Sequence, residues 1–140
     1  MIGIDTSFLV AFEIREHPRH HAARSLADTR RNEGFALSTQ IPAEFLHIVT
    51  DPRRFELPLP IDDAIERIER WWRAREVRII PTGEVVGMRF INLMRTHRLG
   101  RKRLLDTLLA ASYLEADVHV IATTNARDFT RFEGLGVLPV

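Results

Sequence analysis

Cysteine is absent from the 140 residues, which excludes disulfides and thiolate metal sites. Lysine is nearly absent: of the 20 basic residues only Lys102 is not arginine. No apolar run approaches the roughly 20 residues that a membrane-spanning helix requires. The amino terminus has no basic stretch followed by an apolar segment and a small-residue cleavage site, so no secretory leader is expected. Repeats, low-complexity tracts and Gly/Ser linkers are missing too, and a chain of this length is expected to form a single domain over residues 1–140. What is present looks like an ordinary soluble protein, 45% hydrophobic and 28% charged with a net charge of +1. A cytoplasmic location, with no membrane association, fits these absences.

The arginine surplus by itself is what a GC-rich genome produces, so local clusters tell more than the total. The densest is Arg98-Leu99-Gly100-Arg101-Lys102-Arg103. It lies just before Asp106, and Arg101, Lys102 and Arg103 are the cations expected to touch an anionic ligand. Guanidinium groups suit phosphate because they present a planar fork of donors.

Short β-type stretches alternate with helical ones, the pattern of βαβ units and a parallel sheet. Strands are expected at Met1–Asp5, Phe35–Ser38, Val77–Ile80, Val118–Ala122 and Val137–Leu138. Helices are expected over Thr6–Phe12, from His17-Pro18 to Arg31, from Pro42 through Val49, from Asp62 or Asp63 with Ile65, Ile68 and Trp72 inward, and over Glu84–His97. One more follows with Leu104, Leu108 and Ala111 on one face, and a last turn spans Asp128–Phe132. Trp72 is expected in the core and Trp71 partly exposed. Phe8, Leu9, Val10 and Phe12 crowd together more than a single buried face allows, so some are expected to meet a partner.

Four acids punctuate these elements: Asp5, Glu44, Asp106 and Asp128. Asp5 closes a strand, Glu44 and Asp106 lie in first helical turns, and Asp128 follows a strand. Strand carboxyl ends and helix amino ends share one edge of a parallel sheet, where ligand crevices form. Taken singly, each acid has an ordinary explanation as a cap or a dipole partner. Together they would repel one another in apolar surroundings, and a divalent cation with a taste for hard oxygen, Mg²⁺ or Mn²⁺, resolves that conflict. The expected chemistry is metal-dependent hydrolysis of phosphodiesters. His17, His20 and His21 have helical spacing but no further ligand beside them, and they read as an exposed helix start.

The motifs Ile4-Asp5-Thr6-Ser7-Phe8-Leu9-Val10, Pro42-Ala43-Glu44-Phe45, Leu105-Asp106-Thr107-Leu108-Leu109-Ala110-Ala111 and Thr124-Asn125-Ala126-Arg127-Asp128-Phe129, in this order and spacing, resemble the PIN-domain nucleases. Within them the likeness is to VapC-type toxins of bacterial toxin–antitoxin pairs. The resemblance implies a three-layer α/β/α sandwich with a central parallel sheet. It also implies an endonuclease for single-stranded RNA that uses Mg²⁺ or Mn²⁺ and leaves 5′-phosphate and 3′-hydroxyl ends. Position by position, Asp5, Glu44 and Asp106 match the family's acidic triad, with Asn125 and Asp128 in the places of further ligands. Thr6, Thr124 and Asn125 would orient carboxylates or waters. A homodimer and a cognate antitoxin are implied partners.

Other readings fare less well. A haloacid-dehalogenase phosphatase needs an acid two residues after its nucleophile, where Ser7 stands, and a phosphoreceiver domain needs an acidic pair after strand one. The non-enzymatic alternative is a degenerate PIN domain that only binds RNA or protein.

Overall fold

The computed structural model describes all 140 residues. Five parallel strands, β1 (Ile2–Ile4), β2 (Phe35–Ser38), β3 (Val77–Ile80), β4 (Val120–Thr123) and β5 (Gly136–Pro139), form one sheet in the order β3-β2-β1-β4-β5. The inner strands β1 and β2 are buried at every position, as their unbroken apolar runs require when both faces are covered. The chain steps outward from β1 to β3, then crosses back to β4 and continues to β5. The order therefore reverses between β1 and β4.

The helices are α1 (Thr6–Glu13), α2 (His20–Arg30), α3 (Ile41–Val49), α4 (Ile61–Arg73), α5 (Glu84–Thr96), α6 (Leu104–Glu115) and α7 (Ala126–Phe129). Helix α1 packs on α2 and α3, and α3 on α4; α5 packs on α6, and α6 on α7. Reversal of strand order sends right-handed crossovers to the opposite face, so α1–α4 cover one side and α5–α7 the other. This is the expected α/β/α sandwich. None of the helices is long and apolar enough to cross a membrane.

Several local expectations need correction. Helix α2 starts at His20, not His17, and ends in a 3-10 turn over Arg31–Glu33 that Gly34 stops at φ 71°. Along α4 the buried residues are Ala64, Ile68 and Trp71, at i, i+4 and i+7, while Trp72 is 42% exposed. Ile68 is inward as expected, but Ala64 and Trp71 take the places of Ile65 and Trp72, because Trp71 finds both ring and polar partners. It meets Phe12 and Phe35 edge-on at 5.0 and 5.9 Å between centroids, and its Nε1 donates to Glu13 Oε1 at 2.8 Å. Leu104 is exposed, Ala111 is buried as expected, and α6 also buries Thr107, Leu109, Ala110 and the run Ser112 to Leu114. Phe8, Leu9 and Val10 are all buried within the chain, because α1 lies between the sheet and two other helices.

One side chain stitches the centre of the sheet. Tyr113 is fully buried under β1, and its hydroxyl accepts from Ile4 N–H at 3.1 Å. Its single hydrogen has Ile4 O at 2.6 Å and Ala36 O at 3.0 Å as acceptors. The ring lies so close to β1 that a Cβ on Gly3 would stand 2.6 Å from Cε2, so only glycine fits there. Tyr113→Phe strands these buried backbone groups and is expected to cost about 1–3 kcal/mol, read from denaturant midpoints. A variant as stable as the parent would contradict that role.

Candidate active site

Asp5 follows the last residue of β1, beside the β1/β4 reversal. It occupies the N-cap position of α1 but makes no capping bond. Its side chain turns instead to hydroxyls: Ser7 Oγ donates to Oδ2, and Thr123 Oγ1 donates to the same oxygen at 2.7 Å. Ser7 Oγ and Thr123 Oγ1 lie 3.1 Å apart, each with its one hydrogen turned to Asp5. The following turn locks onto them, with Thr124 N–H on Ser7 Oγ at 3.1 Å and Asn125 N–H on Thr123 Oγ1 at 2.9 Å.

Glu44 lies in the first turn of α3, which Pro42 helps to start. Thr6 Oγ1 donates to its Oε2 at 3.0 Å and Gln40 Nε2 to its Oε1 at 2.6 Å. Gln40 Nε2 also reaches Leu105 O at 3.1 Å, tying the start of α3 to the start of α6. Asp106 sits in that first turn of α6, inside the helix and not at its cap.

Asp5, Glu44 and Asp106 all line one open cleft of ≈ 580 Å³ at the carboxyl edge of the sheet, together with Thr6, Thr124 and Asn125. Asp128 does not line it. Its carboxylate is taken by Arg103, which also reaches Asp106 Oδ2 at 3.4 Å. Of the four acids, then, two share one arginine, while Asp5 and Glu44 have none. Arg101 and Lys102 are exposed and outside the cleft. A separate hollow around Trp71 and Phe35 lies at the opposite, amino edge of the sheet; its carboxylates, Glu13, Asp28 and Glu76, stand among Arg24, Arg31 and Arg70, with Arg31 paired to Glu76 and Arg70 to Glu13.

Electrostatics follow from this crowding. Burial pushes the Asp5 carboxyl above its usual range, against the pull of Ser7 and Thr123, and Glu44 adds to the rise. Glu44 is raised by burial and by Asp106, against Gln40 and Thr6. Asp106 is pushed up to about 6, first by burial, then by Asp128 and Asp5, with Arg103 opposing. Two buried polar atoms on the same edge lack partners, Ser38 Oγ at the end of β2 and Gln40 Oε1.

The donor set is hard oxygen in a cleft whose acids raise one another's pKa, which suits a divalent cation with oxygen ligands. No three or more histidine or carboxylate side chains stand close enough to ligate one ion directly. Hard oxygen donors without a closed set of three suit an ion such as Mg²⁺, which keeps several of its waters when bound.

Sequence reasoning missed three parts of this site. The hydroxyl assigned to Thr124 comes from Thr123, because β4 runs one residue further than expected and buries Thr123. Gln40 precedes Glu44 by one helical turn, a spacing that was readable. Arg54, Phe55 and His17 also line the cleft; the Arg53-Arg54 pair and the His17, His20, His21 spacing are visible in the sequence, but nothing local ties them to the acids.

A sequence model of the PIN domain matches residues 2–135. The chain belongs to the PIN domain family. Among curated proteins, it is 28% identical over 133 residues to Ribonuclease VapC24 of Mycobacterium tuberculosis, covering 94% of this chain and 91% of that one. Among solved structures it resembles Mycobacterium tuberculosis VapC20, a Sarcin-Ricin loop cleaving toxin, with a TM-score of 0.69 at 16% identity over 86% of this chain and 87% of that one. A toxin–antitoxin complex from Klebsiella pneumoniae matches with a TM-score of 0.61 at 16% identity, over 99% and 96%. At such identities the structural likeness speaks for the fold, and it agrees with the sandwich described above.

An acid whose folded pKa exceeds its unfolded value favours the fold when protonated. Its ionisation costs stability as pH rises through the interval between the two values, and the cost stays constant above it. For Asp106 that interval runs from 3.8 to about 6. Asp106→Asn, which keeps the neutral form, should gain stability relative to the parent as pH rises from about 4 to about 7 in chelator. Denaturant midpoints at both ends check this; a parent–variant gap that ignores pH would contradict it.

Proposed function

We propose that the chain is an endoribonuclease, the toxin of a toxin–antitoxin pair, that hydrolyses RNA phosphodiester bonds with Mg²⁺ or Mn²⁺. The observation that carries this reading is the convergence of Asp5, Glu44 and Asp106 on one cleft, with pKa values raised first by burial and further by neighbouring acids, and no cation paired to Asp5 or Glu44. Membership of the PIN family and the likeness to Ribonuclease VapC24 support it.

Asp5, Glu44 and Asp106 are the proposed ligands, with Asn125 at the cleft margin and Asp128 behind Arg103. When bound, a divalent cation supplies Lewis acidity at the phosphoryl oxygens and a more acidic water. The chain's own task is to hold the carboxylates in place. Ser7 and Thr123 fix Oδ2 of Asp5, and Thr6 and Gln40 fix both oxygens of Glu44. Such outer partners orient ligands and typically matter by 10–100-fold. Asp106, part-protonated near pH 6, gives up its proton on ligation.

An antitoxin partner is supported by the Klebsiella pneumoniae neighbour, a toxin–antitoxin complex. Exposed apolar side chains on α4 (Ile61, Ile65, Trp72) and α5 (Val85, Met88, Ile91) offer surface for protein contacts, and a homodimer belongs to the same proposal. So do a cytoplasmic setting and a single domain over residues 1–140.

A labelled single-stranded RNA incubated with the chain should be cut with Mg²⁺ or Mn²⁺ and left whole in chelator. Asp5→Asn, Glu44→Gln and Asp106→Asn should each slow cutting by about 100-fold or more, and Thr123→Val by about 10-fold, while Asp128→Asn does less. The reading of a degenerate module draws on the lack of a closed ligand set. Tight RNA binding without cleavage under either ion would favour it and sink the nuclease.

A further inference from the structure

The acid cleft does not end at its carboxylates. Its wall also carries His17, Arg54 and Phe55, and the same three side chains line a second groove of ≈ 600 Å³ that runs on past Ile14 and Leu59. The two hollows meet at these residues. Arg54 is the only arginine or lysine lining the acid cleft. It does not neutralise the site acids, because its one ion pair is with Asp51, Nε to Oδ2 at 3.7 Å.

Asp51 builds the turn that presents this pair. Its carboxylate accepts from Arg53 N–H at 2.9 Å and from Arg53 Nε at 3.1 Å, and Arg53 holds that carboxyl below the usual range. Its carbonyl accepts from Arg54 N–H at 3.0 Å and Phe55 N–H at 3.3 Å. Phe55 is half-buried, leaning on the core with part of its ring at the groove. An exposed guanidinium and an aromatic face, side by side at the rim of a carboxylate site, match a phosphate and the base next to it.

We propose that Arg54 and Phe55, held by the Asp51 turn, form a subsite for the nucleotide flanking the scissile phosphate of single-stranded RNA, with Arg54 on its phosphate and Phe55 against its base. The proposal rests on the ribonuclease reading and names where that substrate is gripped. It moves the main RNA contact away from Arg101, Lys102 and Arg103, of which Arg103 is engaged with Asp106 and Asp128 and the other two stand outside both hollows.

The test is anisotropy of a fluorescein-labelled single-stranded RNA bound to the Asp5→Asn chain in chelator, so that binding is read without turnover. Adding Arg54→Ala or Phe55→Leu should weaken binding by roughly tenfold each. Arg54→Ala should also lower the slope of log affinity against log salt by about 1. Phe55→Leu keeps apolar packing, and Phe55→Trp should restore affinity. Arg30→Ala, on the far surface of α2, should change nothing. Unchanged affinity in Phe55→Leu together with an unchanged salt slope in Arg54→Ala overturns the subsite. Cleavage by the parent chain is followed in parallel. A parent that cuts RNA while the rim variants bind normally sinks the subsite alone. A parent that never cuts, with rim variants that still lose binding, sinks the nuclease reading and leaves the subsite standing. Absence of any binding by the Asp5→Asn chain overturns the subsite outright.

Discussion

A carboxylate that is nearly buried and has no cation beside it sets the terms for this structure. Asp5 keeps its place only because Ser7 and Thr123 give it hydroxyl hydrogens and because the backbone after β4 wraps onto those hydroxyls. Hydroxyls ease desolvation but do not neutralise charge. With Glu44 and Asp106 facing the same cleft, the cost of ionising all three rises together. The fold accepts that cost at the point where strand order reverses, the usual ligand crevice of an open parallel sheet.

The scaffold around Asp5 is correspondingly rigid. Tyr113 clamps β1 from below, and Gly3 leaves it room. Gln40 spans from Glu44 to the backbone at Leu105, so the first turns of α3 and α6 are spaced by a side chain and not by packing alone. Precision is thus concentrated in the elements that carry acids. The turn bearing Arg54 and Phe55 is a more exposed structure, organised by a single carboxylate, Asp51.

Much of this was legible in the chain. The β2 and β3 bounds follow from short apolar runs between turn residues, and the parallel sheet from their alternation with helices. The edge position of Asp5, Glu44 and Asp106 follows from topology alone, since strand ends and helix starts share an edge. What failed was fine register. Trp71 and Trp72 are adjacent and equally apolar, and only the partners Phe12, Phe35 and Glu13, brought together by folding, decide between them. Thr123 and Thr124 present the same difficulty, settled by one extra strand residue. Asp128 lies where sequence order puts it, yet Arg103 turns its charge away from the cleft, and ion pairing across 25 positions leaves no trace in local pattern.

The central claim is that three mutually repelling carboxylates are reconciled by one kind of ligand. Calorimetric titration of Mn²⁺ into the chain tests it most directly, at a pH near 6 and again near 8 in buffers of differing ionisation heat. The account predicts saturable binding with more proton release at the lower pH, and loss of binding when Asp5, Glu44 and Asp106 are all replaced by their amides. Binding that survives that triple replacement, or no binding at millimolar Mn²⁺, would contradict it.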